Sequence, residues 1–424
     1  MAPRPRYRPR LGVYLFSLVL FLAGSATALL VTRGYAIDFE SQSIQKRGLL
    51  ALDSEPDQAE ILVDGKPHDQ RTNARIRLRP GSYDVEVRTT GRIPWQRTVH
   101  IDSGEAIIES ITLFPESPKR TDLTDVPVGQ VAVTPDGKTA AVTTRERGAD
   151  RLALVDLEAG RSRTVAALPA SFATVRSVAI SGDGTRVLVS DRTRTAVYDQ
   201  DGTHIGTLAG TSGRFVDGRV LTVSDGRIRL QAPDGDGVET AATAPRAWAT
   251  TPDSLYVLGR GSTDVKVIRP GRPAERISDT KTLVSLTAAD SGGVLATGRD
   301  DTFGLIRNGR YQELGGGAVQ AAVTRDGRFV AYRTADELRL LEPASGKDRL
   351  VTRLADPPKY IQALPGGRYL LFRRGDTLHA IARDGSNDRA VAKYVGREPV
   401  ILGLDAIITT DRRTGRLIRL DLES

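Results

Sequence analysis

The stretch that decides the fold is V-A-V-T-P-D-G-K-T-A-A-V-T-T at residues 131–144, followed by R-L-A-L-V-D-L-E-A-G at residues 151–160. Short apolar runs stand on both sides of Asp136-Gly137, V-A-V before it and A-A-V after it, and short apolar runs bounded by turn signals are typical of β-strands. Asp followed by Gly favours a tight turn between two strands. These residues therefore predict a short strand, a turn, a second strand, a polar gap and a third strand.

The same unit recurs along the chain, so internal repetition organises most of the sequence. Its copies lie at residues 131–160, 177–202, 214–230, 247–271, 285–309, 320–346, 361–385 and 400–422. Their first turns fall near Asp136, Asp183, Asp217, Asp253, Ser291, Asp326, Gly366 and Asp405. Most of these positions are about 34 to 40 residues apart, the size of one four-stranded propeller blade. We therefore predict a β-propeller over residues 121–424, with eight blades, and seven as the main alternative.

The last copy ends after its third strand, at the end of the sequence. Residues 121–128, T-D-L-T-D-V-P-V, precede the first copy and are expected to supply the missing outer strand. Pairing of this segment with the last copy would close the ring, so that every blade buries both faces against a neighbour.

The copies resemble the WD40-like and YVTN-type bacterial propellers, through an x-P-D-G-K/R turn followed by an apolar-x-V run. The resemblance covers roughly residues 121–424 and implies the propeller fold. No copy closes on Trp-Asp, so a eukaryotic-type WD repeat is not indicated.

A second, smaller module precedes the propeller at residues 48–114, with a Pro-containing linker at residues 115–120 between them. Apolar residues alternate with polar neighbours in several short runs, for example Ile61 with Val63. Asp64-Gly65 and Pro80-Gly81 are turn signals, and both glycines are expected to adopt unusual backbone angles. Five or six short strands in this length predict a small β-sandwich.

This module resembles the PEGA domain family. The resemblance is carried by P-D-Q-A at residues 56–59, I-L-V-D-G-K at 61–66, P-G-S-Y-D-V at 80–85 and G-R-I-P-W at 91–95. The name-giving tetrapeptide departs from the family at Asp57 and Gln58. The family implies an extracytoplasmic module, often beside a membrane anchor, and it implies no catalysis.

Four side chains of this module could have either a structural role or a role in binding. Trp95 and Tyr83 are expected to pack in the core rather than to form a platform for a sugar. His68 and His100 are expected at the surface rather than as metal ligands, because no acid or second histidine stands at ligand spacing.

Near the start of the sequence, residues 11–32 form an uncharged run of 22 residues. Four arginines precede this run, and they are Arg4, Arg6, Arg8 and Arg10. A helix of that length covers about 33 Å, enough for a hydrocarbon core, and predicts a transmembrane helix. The arginines favour a basic cytosolic tail at residues 1–10, with a stalk at residues 33–47 and the rest of the chain outside a cell membrane. A signal peptide cleaved after Ala26-Thr27-Ala28 and a buried soluble helix are the alternatives.

Composition excludes several classes of function. The chain contains no cysteine, which excludes disulfides, thiolate metal sites and cysteine nucleophiles. The net charge is +8, but much of it stands in the first ten residues, and elsewhere Arg and Asp alternate. A nucleic-acid footprint would concentrate basic residues on one face, so no nucleic-acid partner is predicted.

No catalytic, metal or cofactor-binding residue is predicted, and no binding residue can be named from the sequence. G-x-S-x-G, G-x-x-x-x-G-K-[ST] and H-E-x-x-H are all absent. His68, His100, His204 and His379 lie far apart in sequence. Asp234-Gly235-Asp236-Gly237 is similar to a calcium loop but lacks the further ligands, so a plain turn is favoured.

These features together predict a membrane-anchored, extracytoplasmic envelope protein. The favoured function is non-enzymatic binding or scaffolding, with an envelope protein or a cell-wall glycan as partner. One alternative is a hydrolase-like propeller enzyme, which requires acidic or amide side chains that converge on the central channel. The other is a sensor that works with a separate signalling partner.

Overall fold

The computed structural model describes residues 11–32, 35–38, 43–146, 148–172, 174–277, 283–288, 293–299, 301–324, 328–355, 358, 360–364, 368–393, 395–396, 400–402 and 406–422. The chain divides into two compact units, Met1–Leu113 and Phe114–Ser424. The predicted tail at residues 1–10 lies outside the described residues.

The first unit begins with the helix α1 (Leu11–Thr32). An antiparallel pair of short strands follows, β1 (Tyr35–Asp38) and β2 (Ser43–Lys46). Within the described residues, however, no helix is both long enough and apolar enough to cross a membrane. On this finding, the prediction of a transmembrane helix over residues 11–32 is wrong.

The rest of the first unit is a sandwich of two sheets. Its strands are β3 (Gly48–Glu55), β4 (Glu60–Val63), β5 (Lys66–Arg71), β6 (Ala74–Leu78), β7 (Gly81–Arg88), β8 (Trp95–Ile101) and β9 (Ala106–Thr112). One sheet has the order β6-β3-β9, with β3 parallel to β9 and antiparallel to β6. The other has the order β5-β4-β7-β8 and is antiparallel.

Apolar side chains from both sheets form the core of this sandwich. Leu50 and Ile111 from one sheet pack with Ile61, Val87 and Trp95 from the other, and each is at least nine-tenths buried. The prediction that Trp95 is a core residue is confirmed, since only 5% of its surface is exposed.

The structure also tests the predictions for Tyr83, His68, His100 and the number of strands in this module. Tyr83 packs against the same core and donates its hydroxyl to the Arg79 carbonyl oxygen at 2.9 Å. His100 is exposed and His68 is partly so, as predicted. The strand count was too low because β5, K-P-H-D-Q-R, is mostly exposed at a sheet edge and shows no apolar alternation.

In the described part of the second unit, the strands form eight four-stranded antiparallel sheets, which we call blades. Blade 1 contains β11 (Val128–Val133), β12 (Thr139–Glu146), β13 (Ala149–Asp156) and β14 (Arg161–Ala167). Blade 2 contains β15 (Ser177–Ile180), β16 (Arg186–Ser190), β17 (Arg194–Asp199) and β18 (His204–Ala209). Blade 3 contains β19 (Thr211–Val216), β20 (Arg219–Ser224), β21 (Arg227–Gln231) and β22 (Glu239–Thr243). Blade 4 contains β23 (Pro245–Thr250), β24 (Leu255–Gly259), β25 (Val265–Ile268) and β26 (Glu275–Ile277).

Blade 5 contains β27 (Leu283–Ala288), β28 (Val294–Gly298), β29 (Thr302–Arg307) and β30 (Arg310–Gly316). Blade 6 contains β31 (Gln320–Val323), β32 (Val330–Arg333), β33 (Glu337–Glu342) and β34 (Lys347–Arg353). Blade 7 contains β35 (Ile361–Ala363), β36 (Tyr369–Arg374), β37 (Thr377–Ala382) and β38 (Arg389–Ala392). Blade 8 contains β39 (Val400–Leu402), β40 (Ala406–Thr410), β41 (Leu417–Asp421) and β10 (Lys119–Asp122). The prediction of eight blades is confirmed for the described residues.

Blade 8 closes the ring by joining the two ends of the propeller sequence. Its outer strand β10 pairs antiparallel with β41, and the Leu123 NH donates to the Leu417 carbonyl oxygen at 2.8 Å. Closure by the segment before the first copy is confirmed. The strand is Lys119–Asp122, so it begins inside the predicted linker at residues 115–120 and overlaps the predicted segment 121–128 only at Thr121 and Asp122.

Neighbouring blades pack face to face through the apolar side chains of their middle strands. Between blades 1 and 2, Leu152 and Leu154 pack with Val187, Val189 and Tyr198. Each buried side chain of this size contributes about 1.5–3 kcal/mol of hydrophobic stabilisation. Because both faces of a blade are covered, middle strands such as β12 carry continuous apolar runs instead of strict alternation.

Candidate functional site

The turn between the first and second strands of a blade is built by an aspartate and a hydroxyl residue. In blade 1, Asp136 Oδ1 accepts from the Lys138 NH at 3.0 Å and from Thr134 Oγ1 at 2.5 Å. In blade 2, Asp183 Oδ1 accepts from Ser181 Oγ at 2.6 Å. The hydroxyl bonds hold the pKa of Asp136 and Asp183 below the usual value, so both stay ionised.

The structural role predicted for these aspartates is thus confirmed at the described turns. Blade 4 repeats the contact between Thr251 Oγ1 and Asp253 Oδ1, at 2.8 Å. Asp217 of blade 3 instead has a φ of 47°. The remaining predicted turn positions lie outside the described residues; they are Ser291, Asp326, Gly366 and Asp405.

The first strands of the blades contact one another, as β11 does β15, and they therefore line the central channel. Among the described residues of these strands there is no Asp or Glu. Their long polar side chains are Gln130, Gln320 and Gln362, with Arg214 and Arg246 as the charged ones. The long polar side chains that these strands carry are therefore amides and guanidinium groups rather than carboxylates.

A groove of about 440 Å³ lies between blades 1 and 2, at the outer strands. Its lining comes from β14, from the segment that follows β14, and from β17 and β18. The lining residues are Ala166, Ala167, Pro169, Ser171, Phe172, Arg194, Tyr198, Gly202, His204 and Thr207.

The floor of this groove is apolar and aromatic. Phe172 and Tyr198 are 9% and 3% exposed, and both belong to the core between the two blades. The Tyr198 ring meets His204 edge to face, with 5.5 Å between ring centroids. Burial raises the pKa of Tyr198, so its hydroxyl stays protonated.

The rim of the groove carries a guanidinium group that is fixed in place. Arg194 lies over the Phe172 ring, 5.0 Å from its centroid, and donates to the Ser171 carbonyl oxygen. Its Nε lies 3.4 Å from Asp191 Oδ2. Asp191 is in turn held by the backbone NH groups of Thr193 and Arg194, at 2.7 and 2.9 Å. The arginine is therefore oriented before any ligand arrives.

The acid behind Arg194 stays charged although it is buried. The side chain of Asp191 is 2% exposed, and burial alone would favour its neutral form. The NH groups of Thr193 and Arg194 outweigh that effect and lower the pKa of Asp191. At neutral pH the pair therefore presents an ionised acid under a fixed guanidinium.

The opposite rim is formed by β18 and the turn before it. His204 Nε2 and Thr207 Oγ1 lie 2.9 Å apart and share a hydrogen bond. At the turn, Gly202 has a φ of 86°, and a Cβ there would lie 1.9 Å from the Val165 carbonyl oxygen. Glycine is required because blades 1 and 2 approach each other closely at this end of the groove.

Sequence reasoning missed these groove residues. They come together from a connecting segment and two strands, so no motif contains them. The segment Asp234–Gly237 is a plain turn, in which Asp234 Oδ1 accepts from the Asp236 NH at 3.1 Å. No group of three or more His, Asp or Glu positioned for a metal occurs among the described residues.

Comparisons with known proteins match the two units of the chain separately. The PEGA domain model matches residues 47–117. The C-terminal WD40 domain of Sif2 has a TM-score of 0.51 at 13% identity, and the match covers 72% of this chain and 99% of that domain. Oligogalacturonate lyase in complex with manganese has a TM-score of 0.48 at 12% identity, covering 72% and 93%. Hsv2 of Kluyveromyces lactis has a TM-score of 0.43 at 9% identity, covering 60% and 92%.

No curated protein matches the chain. At 13% identity, the similarity to the Sif2 domain shows the fold alone. The chain thus combines a PEGA domain at residues 47–117 with a β-propeller of the WD40-like fold.

Proposed function

We propose that this protein is a non-enzymatic binding or scaffolding protein whose propeller holds a protein or glycan partner in the groove between blades 1 and 2. The observation that carries the proposal is the combination of an aromatic floor with a fixed guanidinium at the rim. Sites of this kind bind the apolar body of a ligand below and orient its polar groups above.

The fixed Arg194 supports binding in a second way. Immobilising a long side chain on binding costs about 0.5–1.5 kcal/mol. Here Asp191 and the Phe172 ring already hold the guanidinium. A partner that meets it therefore gains hydrogen bonds without that ordering cost.

The recurrent acids of the propeller favour binding over catalysis. Asp136 and Asp183 are engaged by hydroxyl and NH groups of their own turns. A propeller hydrolase would need such side chains free and convergent at the axis. The PEGA domain then serves as a spacer or as a second binding element. The extracytoplasmic location stays a prediction.

The proposal is tested by exposing the immobilised full chain to a glycan array and to cell extract. Thr207→Trp fills the groove from β18, where Thr207 pairs with Ala196. Thr240→Trp is its matched control, because Thr240 is exposed and pairs with Arg229, the corresponding third residue of β21. We expect a partner that the wild type and Thr240→Trp retain and Thr207→Trp loses. Equal retention by all three chains would contradict the proposal.

A further inference from the structure

A second cavity, of about 350 Å³, lies at one end of the first strands, which we call the channel mouth, and is lined by blades 2, 3 and 4 and by Pro135 of blade 1. It lies beside the turns between the first and second strands of these blades. The residues of interest in its lining are Ser181, Arg186, Arg214, Phe215 and Thr250. None of them contributes to the groove between blades 1 and 2.

Arg214 is placed in this cavity by the residue before it. A Cβ on Gly213 would lie 2.7 Å from Thr195 Cγ2 and 3.0 Å from Ser190 Oγ, so β19 runs unusually close to blade 2. The register with β20 shifts between Thr211 and Arg214, so a bulge stands at this close approach. Arg214 follows directly after it and lines the cavity.

The guanidinium group of Arg214 has no acidic partner among the described residues. Its hydrogen bond there is from Nη1 to the Gly213 carbonyl oxygen, at 2.9 Å. The residue is exposed, although the surrounding cavity walls desolvate the guanidinium enough to lower its pKa. Its remaining N–H donors are therefore accessible to an anion that enters the cavity.

Two acids also line the cavity, and they limit what can bind. The Asp183 carboxylate accepts from Ser181 Oγ at 2.6 Å and from the Thr185 NH at 3.1 Å, so it is committed to its turn. Asp217 is exposed at the rim. With Arg186 and Arg214 present, the cavity carries two positive and two negative groups. A polyanion would be repelled, whereas one anionic group can be accommodated at Arg214.

We propose that the channel mouth is a binding site for a small ligand with a single oxyanion, either a carboxylate or a phosphate, which Arg214 holds. A guanidinium binds either group through parallel N–H donors. The Thr250 hydroxyl and the Phe215 ring line the same cavity, and they face the hydroxyl and apolar parts of the ligand.

Titration calorimetry with the full chain tests this site, using inorganic phosphate in one arm and glucuronate in the other. Binding of phosphate alone identifies a phosphate site, and binding of glucuronate alone identifies a sugar carboxylate. We expect Arg214→Gln to weaken the binding by about tenfold or more. Arg214→Lys keeps the positive charge but loses the parallel N–H donors of the guanidinium. This variant should bind the anion with intermediate affinity.

Arg246→Gln is the matched control, since Arg246 lies on the neighbouring first strand β23 and outside the cavity lining. It should bind as the wild type does. Far-ultraviolet circular dichroism and the melting temperature establish that each variant folds. The proposal is overturned if the wild type binds neither anion at millimolar concentration, or if Arg246→Gln weakens binding as much as the folded Arg214 variants do.

Discussion

The backbone NH of Leu417 donates to Thr124 Oγ1 at 3.0 Å, across 293 residues of sequence. The same hydroxyl donates to the Val126 carbonyl oxygen at 3.0 Å. Thr124 is 4% exposed, so both bonds are shielded from water. One side chain thus fixes the start of the propeller sequence to its last strand, at the point where the ring closes.

Replacing Thr124 by valine should destabilise the propeller. Valine keeps the shape but leaves the buried Leu417 NH without an acceptor, which costs about 1–3 kcal/mol. Equilibrium urea unfolding measures the loss as a lower midpoint. Thr121→Val is the control, because Thr121 lies on the neighbouring β10 and its side chain is only partly buried. An unchanged midpoint for Thr124→Val would show that this bond does not hold the closure.

Gly202→Ala should destabilise the contact between blades 1 and 2, and Gly385→Ala the contact between blades 6 and 7. An added Cβ would lie 1.9 Å from the Val165 carbonyl oxygen in the first case and 2.0 Å from that of Val351 in the second. Gly218→Ala separates this clash from backbone strain, since Gly218 has a φ of 73° but no atom within 4 Å of its Cβ position.

The expected order of stability follows from these two effects. Strain at positive φ alone costs about 1–2 kcal/mol in Gly218→Ala. The clash should add about 1–3 kcal/mol in the other two variants. Melting temperatures measure the difference. If all three variants have the same melting temperature, the requirement for glycine at Gly202 and Gly385 does not come from the close approach of the blades.

Asp411 should make the ring closure sensitive to acid. Burial opposes its ionisation, but the NH groups of Thr414 and Arg413 and the guanidinium of Arg120 outweigh burial and lower its pKa. Because the folded pKa lies below the ordinary value of 3.8, the stabilisation is fully present above that value. It is lost as the pH falls through the lower, folded pKa.

Asp411→Asn should therefore lower stability by about 2 kcal/mol at neutral pH, as expected for hydrogen bonds to a charged group. The gap between variant and wild type should narrow as the pH falls below 3.8. Thermal melting from pH 7 to about pH 3 measures this dependence. Asp125→Asn, at an exposed position of the same closing segment, is the control. The difference between its melting temperature and that of the wild type should not change with pH. A gap that does not depend on pH would contradict the ion pair with Arg120.

Much of the fold could be predicted because the middle strands of the blades are recognisable from their apolar residues. The runs in β12 and β13 are apolar since blades cover them on both sides. Fourth strands such as β14, R-S-R-T-V-A-A, are mostly exposed and carry no such pattern. Sequence reasoning therefore left them unassigned between the copies of the repeat, although it inferred four strands to a blade from the repeat length.

The candidate sites could not be predicted, because each is assembled by packing rather than by spacing. Arg194 meets Phe172 only when the segment after β14 folds over blade 2. Arg214 is a single charge in a first strand, and that was a signal that could have drawn attention to it. The hydroxyl two positions before the turn aspartate, as in Thr134 and Thr251, was visible in the repeats and was overlooked.

Hydrogen–deuterium exchange of the full chain, free and bound to the partner recovered from the array or the extract, tests the central claim most directly. The account predicts that binding slows exchange of backbone amides at residues 166–172 and 194–207, which surround the groove between blades 1 and 2. Protection confined to other blades, or to the PEGA domain at residues 47–117, would contradict it.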